Sequence, residues 1–293
     1  MSPAESVRAT ANPGAAPAAR PGVGWALLAS ELSVLFRRWR TWAMLAALAA
    51  VPLLIAIAVR ATTHEPPAGR GPQFLSQITH NGFFVGLTGL LVCIPLFLPL
   101  TVGVVAGDTI AGEAGHGTLR YLLIAPAGRI RLLVVKYLGA AVFCAAGTLA
   151  VIVAGLAIGA ALFPIGPVTL LSGSTVGFGE AIVRLLLIGV FVLISLLGLC
   201  AIGLFISTLT NVPVGAMAAT VVLAVMSQVL DSVPQLDWLG PWLFSHYWLS
   251  FADLLREPIS WTSLGDNALL QLGYVAVCGA LAYGRFSTKD ILS

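Results

Sequence analysis

Apolar residues run almost unbroken through six stretches of the chain, about 41–59, 84–106, 138–163, 185–207, 212–230 and 267–283. Each has roughly the 17–25 residues an α-helix needs to cross the ~30 Å hydrocarbon core of a bilayer. Six transmembrane helices are therefore predicted, forming one membrane domain over 41–285. Before the first of them, Trp25, Leu28, Leu32, Leu35, Phe36 and Trp39 recur at helical spacing, with Glu31, Ser33, Arg37, Arg38 and Arg40 on other faces. That pattern predicts an amphipathic helix over 25–40 lying in the membrane interface. Pro95 and Pro99 predict a kink near the centre of the second span. The segment 231–266 contains "WLGPWLFSHYWLSFADLL", which is aromatic and apolar but too short and interrupted to cross. It reads as short helices re-entering the outer leaflet, with surrounding protein satisfying their backbone.

Residues 1–24 are rich in Ala, Pro and Gly without a period and read as a disordered tail; 286–293 form a short C-terminal tail. The first apolar run begins too late and is too long for the core of a cleaved signal peptide, so it reads as a retained span.

Composition closes off the soluble classes. Hydrophobic residues make up 58% of the chain and charged residues 9%, and the mean hydropathy is +0.97. The basic residues set the expected orientation. With the N-terminus inside, Arg8, Arg20, Arg37, Arg38, Arg40, Arg120, Arg129, Arg131, Lys136, Arg285 and Lys289 are cytoplasmic, leaving Arg60, Arg70, Arg184 and Arg256 outside. Both termini are then cytoplasmic, in a multi-pass protein of a bacterial inner or plasma membrane. The seven tryptophans fall at or beyond predicted span ends, as an interfacial belt requires. Lys136 and Arg184 sit at span ends, where long side chains reach the headgroups.

Catalytic apparatus is not visible. The four histidines (His64, His80, His116, His246) lie in loops, so a Ser–His pair within the membrane has no partner to use. No catalytic residue and no metal site are expected: there is no HExxH, and Cys93, Cys144, Cys200 and Cys278 occupy four different spans as small buried hydrophobes. Nothing suggests nucleic acid; membrane lipid is the expected surrounding. A secondary transporter would usually place ionisable groups at membrane depth, and the span centres hold none.

The stretch 107–141 departs from this avoidance of charge, carrying Asp108, Glu113, His116, Arg120, Arg129, Arg131 and Lys136. Gly115 and Gly117 end the preceding helix, and Thr118 can cap a new one. Leu119, Leu122 and Leu123 make an apolar stripe at i, i+3, i+4. Pro126 stops it, and Arg129 marks the return to the membrane. The result is a short capped helix offering leucines to the cytoplasm.

Glu113, Gly117-Thr118-Leu119, Leu122-Leu123, Pro126, Arg129 and the Lys136 that opens a span resemble the signature of ABC-2 type permeases, the membrane subunits of type-2 ABC transporters. The likeness extends to six spans, an N-terminal interfacial helix and an external segment before the last span. It departs at Ala114 and Gly115, where members of that family often carry charge.

The resemblance implies an all-α polytopic fold whose loop 108–131 is a coupling helix. That helix would dock on a separate ATPase subunit through Glu113, Gly117, Thr118, Leu119, Leu122, Leu123, Pro126 and Arg129. ATP and Mg would be bound by that partner, since the chain lacks the G-x-x-x-x-G-K-[ST] loop that cradles phosphates. It also implies a second permease, either an identical copy or a homologue, because one chain supplies half of the usual spans. Trp242, His246 and Trp248 become candidates for an external gate. The expected role is ATP-driven export of an amphipathic or hydrophobic compound such as a drug, antibiotic or lipid, from largely uncharged polar residues in the spans. A secondary transporter or channel working through backbone carbonyls stays open as the alternative, with an intramembrane enzyme behind it.

Overall fold

A computed structural model describes residues 23–61, 78, 81–115, 117 and 128–288. Helix α1 (Val23–Arg37) bends at Arg38 into α2 (Trp39–Ala61). Because α1 stops abruptly, its last carbonyls need partners. Thr41 Oγ1 donates to Leu35 O at 2.6 Å and Trp42 Nε1 to Phe36 O at 2.7 Å. Helix α1 is thus fastened to the first span by the residues that follow the bend.

The second span is α3 (Phe83–Val92), a π-helical turn (Cys93–Phe97) and α4 (Leu98–Gly115). The wide turn falls where a kink was expected. Pro95 has no N–H to give and crowds the carbonyl four residues back, and the ladder widens so that Leu98 N donates to Cys93 O. Gln228 Nε2 donates to Pro95 O at 2.7 Å, taking up a carbonyl within that turn.

Helices α5 (Arg129–Leu162) and α6 (Phe178–Leu209) are longer than the predicted spans. At 34 residues, α5 is about 51 Å long and overshoots the hydrocarbon core by about 20 Å. Between them sits a two-residue-strand hairpin, β1 (Val168–Thr169) with β2 (Thr175–Val176), turning at Gly173 with φ +84°; it was not anticipated. After the short link 210–212, α7 (Pro213–Asp231) starts on its own proline, which fits the first helical turn. Three 3₁₀ turns follow (Pro234–Leu236, Gly240–Trp242, Ser250–Leu255), then α8 (Thr262–Thr288). Among the described residues, six helical spans are long and apolar enough to cross a membrane.

Small residues bring the helices close. A side chain at Gly155 of α5 would overlap the backbone of Gly86 on α3, and one at Gly159 would overlap Gly82. Gly107 of α4 lies against Met217 of α7, where a Cβ would come within 2.8 Å of backbone.

Three expectations are corrected. Lys136 does not extend its amine outward; it lies within α5 and is buried among carboxylates. Arg184 is likewise buried in α6, held by Glu180 at 2.7 Å and by the carbonyls of Leu254 and Arg256. Trp248 is only 2% exposed and donates to Ser195 O at 3.0 Å, while the other six tryptophans are exposed. Its indole is core, because the turn after Ser245 folds back onto α6.

Candidate functional site

Three charges of the 107–141 stretch, Asp108, Glu113 and Lys136, converge where α4 ends, α5 begins and α1 crosses them. Lys136 Nζ donates to both carboxylate oxygens of Glu31, at 2.8 and 3.0 Å, and to Glu113 Oε1 at 3.3 Å. Its side chain is 5% exposed, against 26% for Glu31 and 24% for Glu113. Beside it, Asp108 accepts from Arg38 at 3.1 Å and from Arg40. These residues line a cleft of about 240 Å³.

Local sequence makes the cluster possible. Glu31 stands on the polar face of α1 and reaches Lys136 over Gly139, where a Cβ would already touch the Glu31 stem at 3.5 Å. The Asp108 carboxylate lies over Gly112, where a Cβ would come within 2.6 Å of it. Every charge in the cluster has an opposite partner, which is what burial of charge demands. The arrangement is a clamp: Lys136 joins α1 to α4 and α5, the helices that flank 116–127, and Asp108 joins α4 to the bend and the start of α2.

Two further contacts reinforce that end. Ser207 Oγ, on α6, accepts from the N–H groups of Ile110 and Ala111 at 3.0 and 2.8 Å and donates to Gly107 O at 2.7 Å. A hydroxyl inserted against the ladder of α4 is one known cause of a bend. Arg129 donates to Phe286 O at 3.3 Å and to Ser287 O, supplying the last carbonyls of α8 with donors. The loop leaves at Gly117 and returns at Gly128, both in the left-handed region (φ +69° and +76°) that glycine tolerates.

Of the expected docking residues, Glu113, Gly117 and Arg129 therefore ring the base of the loop. Thr118, Leu119, Leu122, Leu123 and Pro126 lie outside the described residues. The gate candidates stand at the far end of α7, about 28 Å away along its axis, and do not form one surface. Trp242 is 70% exposed, and its carbonyl accepts from Tyr274 OH at 2.7 Å. His246 Nδ1 pairs with Asp231 Oδ1 at 2.6 Å, and Trp248 is in the core.

The sequence alone did not reveal Glu31 and Asp108 as partners in the clamp, or Ser207 as the hydroxyl set against α4. A glutamate at a one-in-sixteen position of an otherwise uncharged-or-basic helix was the available sign for the first. It also missed a buried polar string in the bundle: Asn267 Nδ2 donates to Ser195 Oγ at 2.8 Å, and Gln271 Nε2 to Phe244 O at 2.8 Å. Among the described residues no group of three His, Cys, Asp or Glu could hold a metal ion. Lys136 and Arg184 are the charged side chains buried there, and neither lies at mid-span.

The model of one protein family, described as ABC-2 family transporter protein, matches residues 25–291. No curated protein matches the chain.

Proposed function

This chain belongs to the ABC-2 transporter family, and from that premise we propose that it is the permease of an ATP-driven exporter, energised through the loop at 116–127. A separate cytoplasmic ATPase subunit, which binds ATP and Mg, docks on that loop and on the ring of Glu113, Gly117 and Arg129. The observation that carries this reading is the clamp. Lys136 ties α5 to α1 and α4 at the loop's base, so displacement of the loop moves both helices and the interfacial helix together. Interactions of that kind, with two alternative arrangements, are how a local push becomes a helix movement.

The basic residues gathered at this end support a cytoplasmic placement for it and for both termini. Apart from Lys136 and Arg184, which are held in ion pairs near helix ends, the buried polar groups of the spans are hydroxyls and amides, such as Thr101, Ser195, Thr220, Ser227, Asn267 and Gln271. A path between them suits an amphipathic or hydrophobic compound, a drug, antibiotic or lipid, rather than one needing a fixed counter-charge. A second permease, identical or homologous, completes the pathway.

The test is reconstitution of the chain with an ABC ATPase in liposomes, following a fluorescent amphipathic compound. Movement that requires both ATP and the ATPase is expected. Movement driven by a proton gradient in the absence of the ATPase would assign the chain to secondary transport instead.

A further inference from the structure

The backbone ladder of the second span has two gaps in succession. In the α-helical pattern Leu91 O would accept from residue 95 and Pro95 O from residue 99, and both of those are prolines without an N–H. Between the gaps the chain widens into the π-helical turn Cys93–Phe97. The second gap is filled from a neighbouring helix, because Gln228 Nε2 of α7 donates to Pro95 O at 2.7 Å. The same amide has an alternative acceptor in its own helix, Ala224 O at 3.3 Å.

The half-helices that meet at this turn are packed on different partners. On the side away from the loop, α3 lies backbone to backbone on α5, with Gly86 at Gly155 and Gly82 at Gly159. On the loop side, α4 lies on α7 and α6: Gly107 meets Met217, and a Cβ on Gly203 would come within 2.7 Å of the Ala106 side chain. Contacts this close move as units, since packed interfaces do not deform continuously. The weakest stretch of ladder therefore lies between two well-held bodies, where a change of angle is most easily absorbed. α4 ends at the loop, and Glu113 near that end is tied to α5 through Lys136. α5 contains no proline, and its closest approach to α3 lies toward the opposite end from Lys136, so it can pivot there as the loop end moves.

Resting on the reading of 116–127 as the point where ATP energy enters, we propose that residues 93–97 are a hinge of the transport cycle and that Gln228 is its latch. With the amide on Pro95 O, the bend between α3 and α4 is held. When the amide falls back on Ala224 O, α4 swings relative to α3 and carries the loop with it. Two acceptors for one donor give the turn the two discrete arrangements that a switch needs.

The chain alone, in nanodiscs, is given a trifluoromethyl tag on a cysteine replacing Leu96, which lies in the turn and is 47% exposed; the four native thiols are buried. Wild type should show one dominant fluorine resonance and Gln228→Leu a second beside it. Pro99→Ala added to Gln228→Leu should restore the single resonance, because residue 99 then supplies the donor to Pro95 O. In liposomes with an ABC ATPase, the double variant Pro95→Ala, Pro99→Ala should unfold no earlier than wild type and keep its ATPase, yet transport roughly tenfold more slowly. A turn with a purely structural role would leave transport in that variant unchanged. A fluorine spectrum unaltered by Gln228→Leu, or full transport by the double alanine variant, would overturn the hinge. Wild type that moves nothing with ATP and an ATPase would overturn the loop-driven reading instead, and the spectra of the chain alone would still decide whether Gln228 latches the turn.

Discussion

Replacing Lys136 by Met keeps the length of the side chain and removes the amine that Glu31 and Glu113 share. At an effective dielectric of about 20, a charge pair at the observed 2.8 Å attracts by roughly 6 kcal/mol before desolvation is counted. Most of that is offset by the cost of taking the charges from water. What a variant feels is the stranded partner: breaking a buried pair costs about 3–5 kcal/mol. Glu31 and Glu113 each keep about a quarter of their side-chain exposure, and water reaching them relieves part of the penalty. The expected loss is therefore about 2 kcal/mol. Glu31→Gln should cost about half as much, because Lys136 retains Glu113. The triple variant Lys136→Met, Glu31→Gln, Glu113→Gln should recover most of the loss, since no charge remains unpaired. Reversible unfolding in mixed micelles provides the free energies for this cycle. A Lys136→Met protein within 0.5 kcal/mol of wild type on that scale, or a triple variant no better than the single, would refute the clamp.

Other outcomes follow from the same packing. Trp248→Ala should cost about 3–5 kcal/mol, as for other large core truncations, whereas Trp242→Ser should leave the unfolding midpoint nearly unchanged; thermal scans of both compare an indole at 2% exposure with one at 70%. Gly155→Leu should abolish the monodisperse elution peak, because its side chain would occupy the backbone of Gly86 on the facing helix. In a Cys-free background, an impermeant thiol reagent should label a cysteine at Arg70 or Trp242 from outside intact cells and leave one at Gly128 untouched; labelling at Gly128 would reverse the orientation.

Hydropathy was enough to find the six spans, because long apolar runs have few other uses. Their lengths were harder to see. Lys136 looked like an end marker, yet α5 continues seven residues beyond it toward the loop because Glu31, 105 positions away in sequence, neutralises the charge. Pairings at that separation leave no trace in local periodicity. Trp248 misled for a related reason: interfacial and core tryptophans share a composition and differ in what folds over them. Pro95, by contrast, acts through its own missing N–H, and a local cause of that kind was readable in advance.

The central claim, that a separate ATPase drives this permease through the loop at 116–127, is tested most directly by co-purification. Burial of a leucine in a partner's cleft stabilises it by roughly 1.5–3 kcal/mol relative to exposure, so Leu122 and Leu123 together would add several kcal/mol to a subunit contact, enough for their loss to matter. The chain and its ATPase are co-expressed and isolated in detergent by a tag on the permease. The double variant Leu122→Asp, Leu123→Asp should insert and elute like wild type but arrive without the ATPase and without ATP-driven transport in liposomes. A double variant that keeps both the ATPase and the transport would contradict the account.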